Sequence, residues 1–338
     1  MKENGTMRAV ISRTAGGPET LTLEEMPRPI PKTGEVLIDV RACGLNYPDT
    51  LIIQDLYQFK PERPFSPGSE VSGTVEALGD GVADFRIGDR VIGFTTHGGM
   101  AEKLALPAKS CVRIPDTMPF DEAASFLMTY GTSYHALKDR AVLRAGETLL
   151  VLGASGGTGI AAVELGKAMG ARVIGAVSSP EKAAFVISHG ADNCIVYPRG
   201  PFDSAGSKAM ANLFKQACGP NGADIIYDPV GGDYTEAALR AISWGGRFLI
   251  VGFPAGIAKI PMNLPLLKSC QLVGVFYGSF TTRDPEGNNV NTRELVDFYI
   301  AGTIKPAISN RLTLEEAPQA LQMLAAREAL GKIVVVMD

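Results

Sequence analysis

Residues Glu147–Pro180 read ETLLVLGASGGTGIAAVELGKAMGARVIGAVSSP, a strand, a glycine turn, a helix and a second strand in succession. Glu147 to Gly153 is a short Leu- and Val-rich run of the kind that forms a strand buried on both faces of a parallel sheet. Gly153, Gly156, Gly157 and Gly159 break it, which predicts positive backbone angles and a main chain that a phosphate can approach. The N–H groups of the helix that follows then point at the anion. Ala161, Leu165, Ala168 and Met169 are expected on the buried face of that helix, with Glu164 and Lys167 facing solvent. Ala171 to Val177 returns as the second strand. A glycine triplet alone is weak evidence, but strand, helix and strand around it supply the setting that a dinucleotide fingerprint requires.

The end of the second strand selects the cofactor. A site that prefers NAD places Asp or Glu about 20 residues beyond the glycines to bind the ribose 2′-hydroxyl. This chain has Ser178 and Ser179 there, followed by Lys182. A carboxylate would repel a 2′-phosphate, whereas hydroxyls and an ammonium bind it, so the residues argue for NADPH. Glu181 is expected to point away on the next helix.

Outward from this unit, apolar runs recur at Asn193–Tyr197, Ala223–Val230, Gly246–Phe253 and Gln271–Gly278, giving six strands in all. Helical segments are expected at Glu181–His189, Ser207–Cys218 and Asp233–Ser243. Such alternation predicts a doubly wound parallel sheet whose ligand lies across the carboxyl ends of the strands, near Ser178, Tyr197, Asp228, Gly252 and Gly278. The first 125 residues differ: MRAVIS, LTLEEMP, GEVLIDVRAC, SEVSGTVEALG, GDRVIGF and AEKLALP are short β runs between Gly, Pro and Asp turns. They predict an irregular β domain, with FKPERPFSP (Phe59–Pro67) as a rigid loop on it. After Gly278, two helices and a final strand at Lys332–Met337 are expected to rejoin that β domain. The division is then 1–125 plus 279–338 for the β domain and 126–278 for the nucleotide domain.

The chain's 338 residues, 46% hydrophobic and 20% charged, suit two globular domains. A net charge of −4 without a basic block argues against a nucleic-acid partner. No apolar run approaches the length of a membrane span, and Met1–Thr6 lack the apolar core of a signal peptide, so a cytoplasmic location is expected. The cysteines, Cys43, Cys111, Cys194, Cys218 and Cys270, are odd in number, widely spaced and free of any C-x-x-C pair. They suggest neither a disulfide framework nor a structural zinc site.

Taken in order, ACGLNYPDTLIIQDLYQ, PFSPGSEVSGTVEALGDGVADFRIGDRV, TYGTSYHAL, VLGASGGTG, DPVGG and GKIVV resemble the zinc-free quinone oxidoreductases of the medium-chain dehydrogenase/reductase superfamily, from Met7 to Val336. The resemblance implies a six-stranded Rossmann domain inserted into a GroES-like irregular β-barrel, a cofactor cleft between them and a homodimer or homotetramer. Zinc-dependent relatives place ligands near the position of Cys43 and in a Gly-His-Glu segment. Here that segment reads Gly68-Ser69-Glu70, so no metal site is expected. The resemblance further implies that Asn46, Tyr57 and Thr132 line the substrate pocket as catalytic candidates that polarise or orient the substrate. Asp49 is expected to fix its loop. On the cofactor side it implies Gly156, Gly157 and Thr158 at the pyrophosphate, and Ser178, Lys182 and Tyr197 at the 2′-phosphate; Arg199, two residues after Tyr197, is a second candidate cation there on its position alone, against a solvated loop arginine. Gly252, Phe253, Phe276 and Gly278 are implied near the nicotinamide, with Lys332 reaching the cofactor from the last strand.

The resulting expectation is an NADPH-dependent, zinc-independent oxidoreductase that gives hydride to a quinone or related electron-poor α,β-unsaturated carbonyl. Reduction of an enone, acrylate or enoyl-CoA uses the same geometry and stays open. So does an NADPH-binding sensor or structural protein with little turnover.

Overall fold

The computed structural model describes residues 5–337. Residues 1–4 of the expected N-terminal extension lie outside the described residues, and Thr6 already belongs to the first strand. In chain order the strands are β1 (Thr6–Ile11), β2 (Thr22–Pro27), β3 (Glu35–Gly44), β4 (Glu70–Leu78), β5 (Arg90–Phe94), β6 (Lys103–Pro107), β7 (Cys111–Arg113), β8 (Thr148–Leu152), β9 (Arg172–Val177), β10 (Asn193–Val196), β11 (Ala223–Asp228), β12 (Ile242–Ile250), β13 (Gln271–Gly274), β14 (Ile308–Thr313) and β15 (Lys332–Val336). The helices are α1 (Tyr47–Ile52), α2 (Phe120–Ala123), α3 (Thr132–Tyr134), α4 (Gly157–Ala168), α5 (Pro180–Ser188), α6 (Ser204–Cys218), α7 (Asp233–Leu239), α8 (Asn263–Lys268), α9 (Tyr277–Arg283), α10 (Pro285–Ile300) and α11 (Ala317–Ala325). Short π-helical stretches, Leu127–Gly131 and His135–Arg140, flank α3 on both sides.

The described chain forms two compact units, one of the residues up to Met128 together with those from Pro306, the other running from Thr129 to Lys305. Helices α9 and α10 therefore belong to the nucleotide-binding unit, not to the β domain as the division at 278 had it. The first unit holds a seven-stranded sheet in the order β14-β15-β3-β4-β5-β7, with β6 also paired to β3, and a separate β1–β2 pair. Its core gathers Val36, Ile38, Val71, Val91, Ile333 and Val335 from alternate strand positions. β15 runs antiparallel to β3 with Val334 opposite Gly44 and Val335 opposite Cys43. That register brings the start of β15 beside the residues that follow β3. β14, a largely polar edge strand, was not foreseen.

The second unit is a fully parallel six-stranded sheet in the order β10-β9-β8-β11-β12-β13. The direction of winding reverses between β8 and β11, the point at which such sheets bind ligands. Two boundaries move relative to the sequence reading. The helix expected over Asp233–Ser243 stops at Leu239, because Ile242 already pairs with Ala223 as β12 begins. The strand expected over Gln271–Gly278 ends at Gly274, and Phe276 instead caps α9. The helix after the glycine turn also departs from expectation. α4 is buried continuously from Gly159 to Gly166, so Glu164 is 8% exposed and does not face solvent. The sheet covers one side of α4 and the α3 segment packs on another, which a one-sided amphipathic reading does not anticipate.

Candidate functional site

In the nucleotide-binding unit the site is built around the switch point. Gly153, directly after β8, has a φ of +55°, and a Cβ there would meet Val230 Cγ2 of the turn after β11 at 2.8 Å. The two turns at the switch point thus touch. Of the four glycines in this turn, only Gly153 uses a positive φ. Gly159 serves close approach instead, since a Cβ on it would lie 2.3 Å from Gly153 O. Gly156 caps α4 without any side-chain hydrogen bond, and Gly157 and Thr158 form the first helical residues. The first N–H groups of a helix have no partner within the helix, so this end suits an anion the size of a pyrophosphate.

Thr158 is tied into the interior. Its carbonyl accepts from Ser133 Oγ at 2.9 Å, and Ser133 Oγ lies 2.9 Å from Tyr227 Oη. Tyr227 is fully buried, and burial holds its phenol well above the ordinary range, so it stays a neutral hydroxyl. Neither Ser133 nor Tyr227 stands in a sequence motif; only the strand position of Tyr227 signals burial. They join the glycine turn to the helical segment bearing Thr132, itself 8% exposed.

At the carboxyl end of β9, Ser179 caps α5 by accepting from Lys182 N at 3.3 Å. Its oxygen accepts there and its O–H is not used by that contact, while Ser178, half-buried one residue earlier, is the serine at the strand end. The Lys182 side chain is half-buried on the first turn of α5, and Arg199 is exposed in the loop after β10. Tyr197, the third residue expected at the 2′-phosphate, directly follows β10. It is 6% exposed, with its ring packed on Tyr234 and Phe214 at centroid distances of 5.1 and 6.3 Å.

The DPVGG turn after β11 is internally organised. Asp228 accepts from Val230 N and Gly231 N at 2.9 Å each and from Thr235 Oγ1 at 2.6 Å. Burial nevertheless pushes its carboxyl upward. Gly232 N bonds Gly256 O and Ala255 N bonds Val230 O, which locks this turn to the loop carrying Gly252 and Phe253. Phe253 and Phe276 keep 48% and 46% of their surface exposed, unusual for phenylalanine in a folded unit. Among the described residues, beyond its chain neighbours and its own helix backbone, a Cβ on Gly278 would meet Phe276 Cε2 at 3.7 Å, an ordinary contact, so packing within the unit does not require glycine there.

In the β unit the expected residues converge on a buried charged cluster. Lys332, 4% exposed at the start of β15, donates from Nζ to Leu45 O at 2.8 Å and to Asn46 Oδ1 at 2.6 Å. Its Nζ is 3.8 Å from Glu70 Oε2. Glu70 is wholly buried, and its Oε1 accepts from Met128 N at 2.9 Å. Burial pushes Glu70 up and Lys332 down, each toward its neutral form, and the opposite charges of the pair resist this. Lys332 is thus directed at Asn46 inside its own unit. Asn46 in turn donates from Nδ2 to Gly44 O at 3.1 Å and toward Glu70 Oε2 at 3.4 Å. Both donors of its amide have partners in the protein, which makes Asn46 a part of the scaffold and a poor source of a hydrogen bond to a substrate.

Asp49 accepts from Asn46 N at 2.7 Å, the loop-fixing contact expected of it. Its carboxyl is pushed up to about 6, chiefly by burial. Tyr57 is half-buried, with its ring 6.0 Å from that of Phe59. Burial and the negative charge of Asp49 raise its phenol, so it is a hydroxyl donor throughout the neutral range. Cys43 is wholly buried, and burial pushes its thiol well above the ordinary value. Zinc draws its ligands from thiolates, imidazoles and carboxylates, three or four of them around one ion. Here Ser69 offers a hydroxyl in place of an imidazole and the Lys332 ammonium already stands 3.8 Å from Glu70, so the donor set does not fit that ion.

Two family models match the chain: "Alcohol dehydrogenase GroES-like domain" over residues 32–116 and "Zinc-binding dehydrogenase" over 157–290. The quinone oxidoreductase-like protein 2 homolog of Nematostella vectensis is 37% identical over 307 residues, 90% of this chain and 82% of that protein. Human quinone oxidoreductase is 32% identical over 334 residues, 98% of each chain. Among solved structures, a mycobacterial protein complexed with NADPH superimposes with a TM-score of 0.90 at 32% identity, covering 98% of this chain and 99% of that one. Escherichia coli quinone oxidoreductase complexed with NADPH gives 0.88 at 26% identity, covering 97% and 99%.

Proposed function

Since this chain belongs to the quinone oxidoreductase family of the medium-chain dehydrogenase/reductase superfamily and is an oxidoreductase, we propose that it uses NADPH to reduce a quinone or a related electron-poor carbonyl, without zinc. The observation that carries the cofactor reading is the end of β9, where Ser178 and Lys182 stand in place of the carboxylate that would bind a ribose 2′-hydroxyl. Gly156, Gly157 and Thr158 would hold the pyrophosphate at the start of α4, and Ser178 with Lys182 the 2′-phosphate. Phe253, Phe276 and Gly278 would border the nicotinamide. When bound, NADPH supplies a hydride.

The chain's own part is to orient the reactants and to supply hydrogen-bond donors where negative charge develops. Tyr57 is the donor best suited to this in the β unit, because its phenol keeps its proton while the Asn46 amide is turned inward. Thr132 is the corresponding hydroxyl in the nucleotide-binding unit, held by the Ser133–Thr158–Tyr227 contacts beside it. The zinc-free reading is supported by the donors around Glu70, where Lys332 already supplies the positive charge. A cytoplasmic homo-oligomer is part of the same proposal, by analogy with the family.

The test is consumption of NADPH, with NADH in parallel, against 1,4-benzoquinone, 9,10-phenanthrenequinone, a simple enone, an acrylate and crotonyl-CoA. Rapid NADPH-specific reduction of the quinones supports the proposal. Preference for the acrylate or the thioester replaces the substrate and keeps the cofactor. Tight NADPH binding with no turnover on any acceptor favours a sensor.

A further inference from the structure

The chain passes between its two units twice, after Met128 and after Lys305. Both crossings meet one side chain. Tyr130, two residues beyond the first crossing, donates from Oη to Glu164 Oε2 at 2.7 Å. Lys305, the last residue before the second, donates its backbone N–H to the same oxygen at 3.0 Å. The other oxygen, Oε1, lies 2.7 Å from Nδ1 of His189, whose half-buried ring packs on Phe185 at a centroid distance of 4.5 Å. Glu164 is a buried carboxylate far from the glycine turn in chemistry, and nothing in the proposed reaction uses it.

We infer that Glu164 is the positioning residue for both crossings, clamping them to α4, the helix whose N-terminus forms the pyrophosphate turn. Seven residues of helix separate Gly157 from Glu164, about 10 Å at the usual rise. A helix of this length is stiff, so whatever is held at the turn and whatever is held at Glu164 share one rigid body. The same clamp fixes Tyr130 and hence the helical segment that begins with Thr132. A carboxylate suits this role because its two oxygens accept several hydrogen bonds at once. The clamp itself stands without the proposed activity; only its bearing on Thr132 rests on that reading.

Hydrogen exchange by mass spectrometry on the full chain, without cofactor, tests the clamp directly. Glu164→Ala removes both contacts and is expected to speed exchange at residues 129–133 and at 303–305 by about fivefold or more, with Leu149–Leu152 of β8 unchanged. Tyr130→Phe loses one oxygen and speeds only 129–133, and this variant keeps the test decisive if Glu164→Ala does not fold. Glu164→Gln presents its carbonyl to Tyr130 and Lys305 and its amide to His189, and so stays within about twofold of the wild type at both crossings. The inference is overturned if either crossing is unaffected in Glu164→Ala, if Tyr130→Phe leaves 129–133 unchanged, if β8 loosens equally, or if Glu164→Gln behaves like Glu164→Ala.

Discussion

Lys332 lies 3.8 Å from Glu70 with both side chains buried, so removing one charge strands the other. Breaking a buried pair in this way costs about 3–5 kcal/mol. Lys332→Met is therefore expected to lower the urea midpoint sharply, and adding Glu70→Gln to recover part of the loss; a change below about 1 kcal/mol would show that the pair is not charged. Asp49 gives a prediction in pH. Its carboxyl sits at about 6 in the folded protein against 3.8 ordinarily, so the folded state binds the proton more tightly. The associated stability is present below pH 3.8 and is lost as pH rises through 6. Relative to Asp49→Asn, the wild type should lose on the order of 3 kcal/mol across that window and run parallel above pH 7, as read from denaturation midpoints. Parallel curves throughout would place Asp49 in an ordinary environment. Lys182→Ala should weaken NADPH by about ten- to a hundredfold in a fluorescence titration and leave NADH unchanged. Equal losses for both cofactors would remove Lys182 from the 2′-phosphate.

At the scale of elements, α4 is only half legible in the sequence. The glycine spacing disclosed the turn, and Gly159→Ala is expected to show why. Its Cβ would collide with Gly153 O, so it should cost about 1–3 kcal/mol and weaken NADPH together. Unchanged binding and stability would mean that the turn relaxes freely. Glu164 reads as a solvent-facing helix residue because its partners, Tyr130, His189 and Lys305, lie 34, 25 and 141 residues away, and no local pattern reports them. Val275, Phe276 and Tyr277 continue an apolar run, and so read as strand, although the backbone turns into α9 at Phe276. The π-helical stretches around α3 leave no periodic mark short enough to detect, yet they set the local path of Thr132. β14 escaped notice because an edge strand reading ISNRLT lacks an apolar face.

For the whole molecule, the alternation of strands and helices between Glu147 and Gly278 was sufficient to foresee a six-stranded parallel sheet, since fully buried strands must be apolar along their length. The barrel side was recognisable as β structure from its turns, while its seven-stranded order depends on long-range pairing such as that of β15 with β3. The cofactor assignment came from Ser178 and Lys182; the inward commitment of Asn46 and Lys332 could come only from the folded chain. Among the described residues no helix is long and apolar enough to cross a membrane. The proposed reaction passes hydride from NADPH to a quinone. Its most direct test is a single turnover with 9,10-phenanthrenequinone and NADPH deuterated at one or the other face of C4. Deuterium on one face alone is expected to slow NADPH oxidation and to be lost from the nicotinamide. Equal rates for both deuterated forms and unlabelled NADPH, with oxidation no faster than without protein, would contradict it.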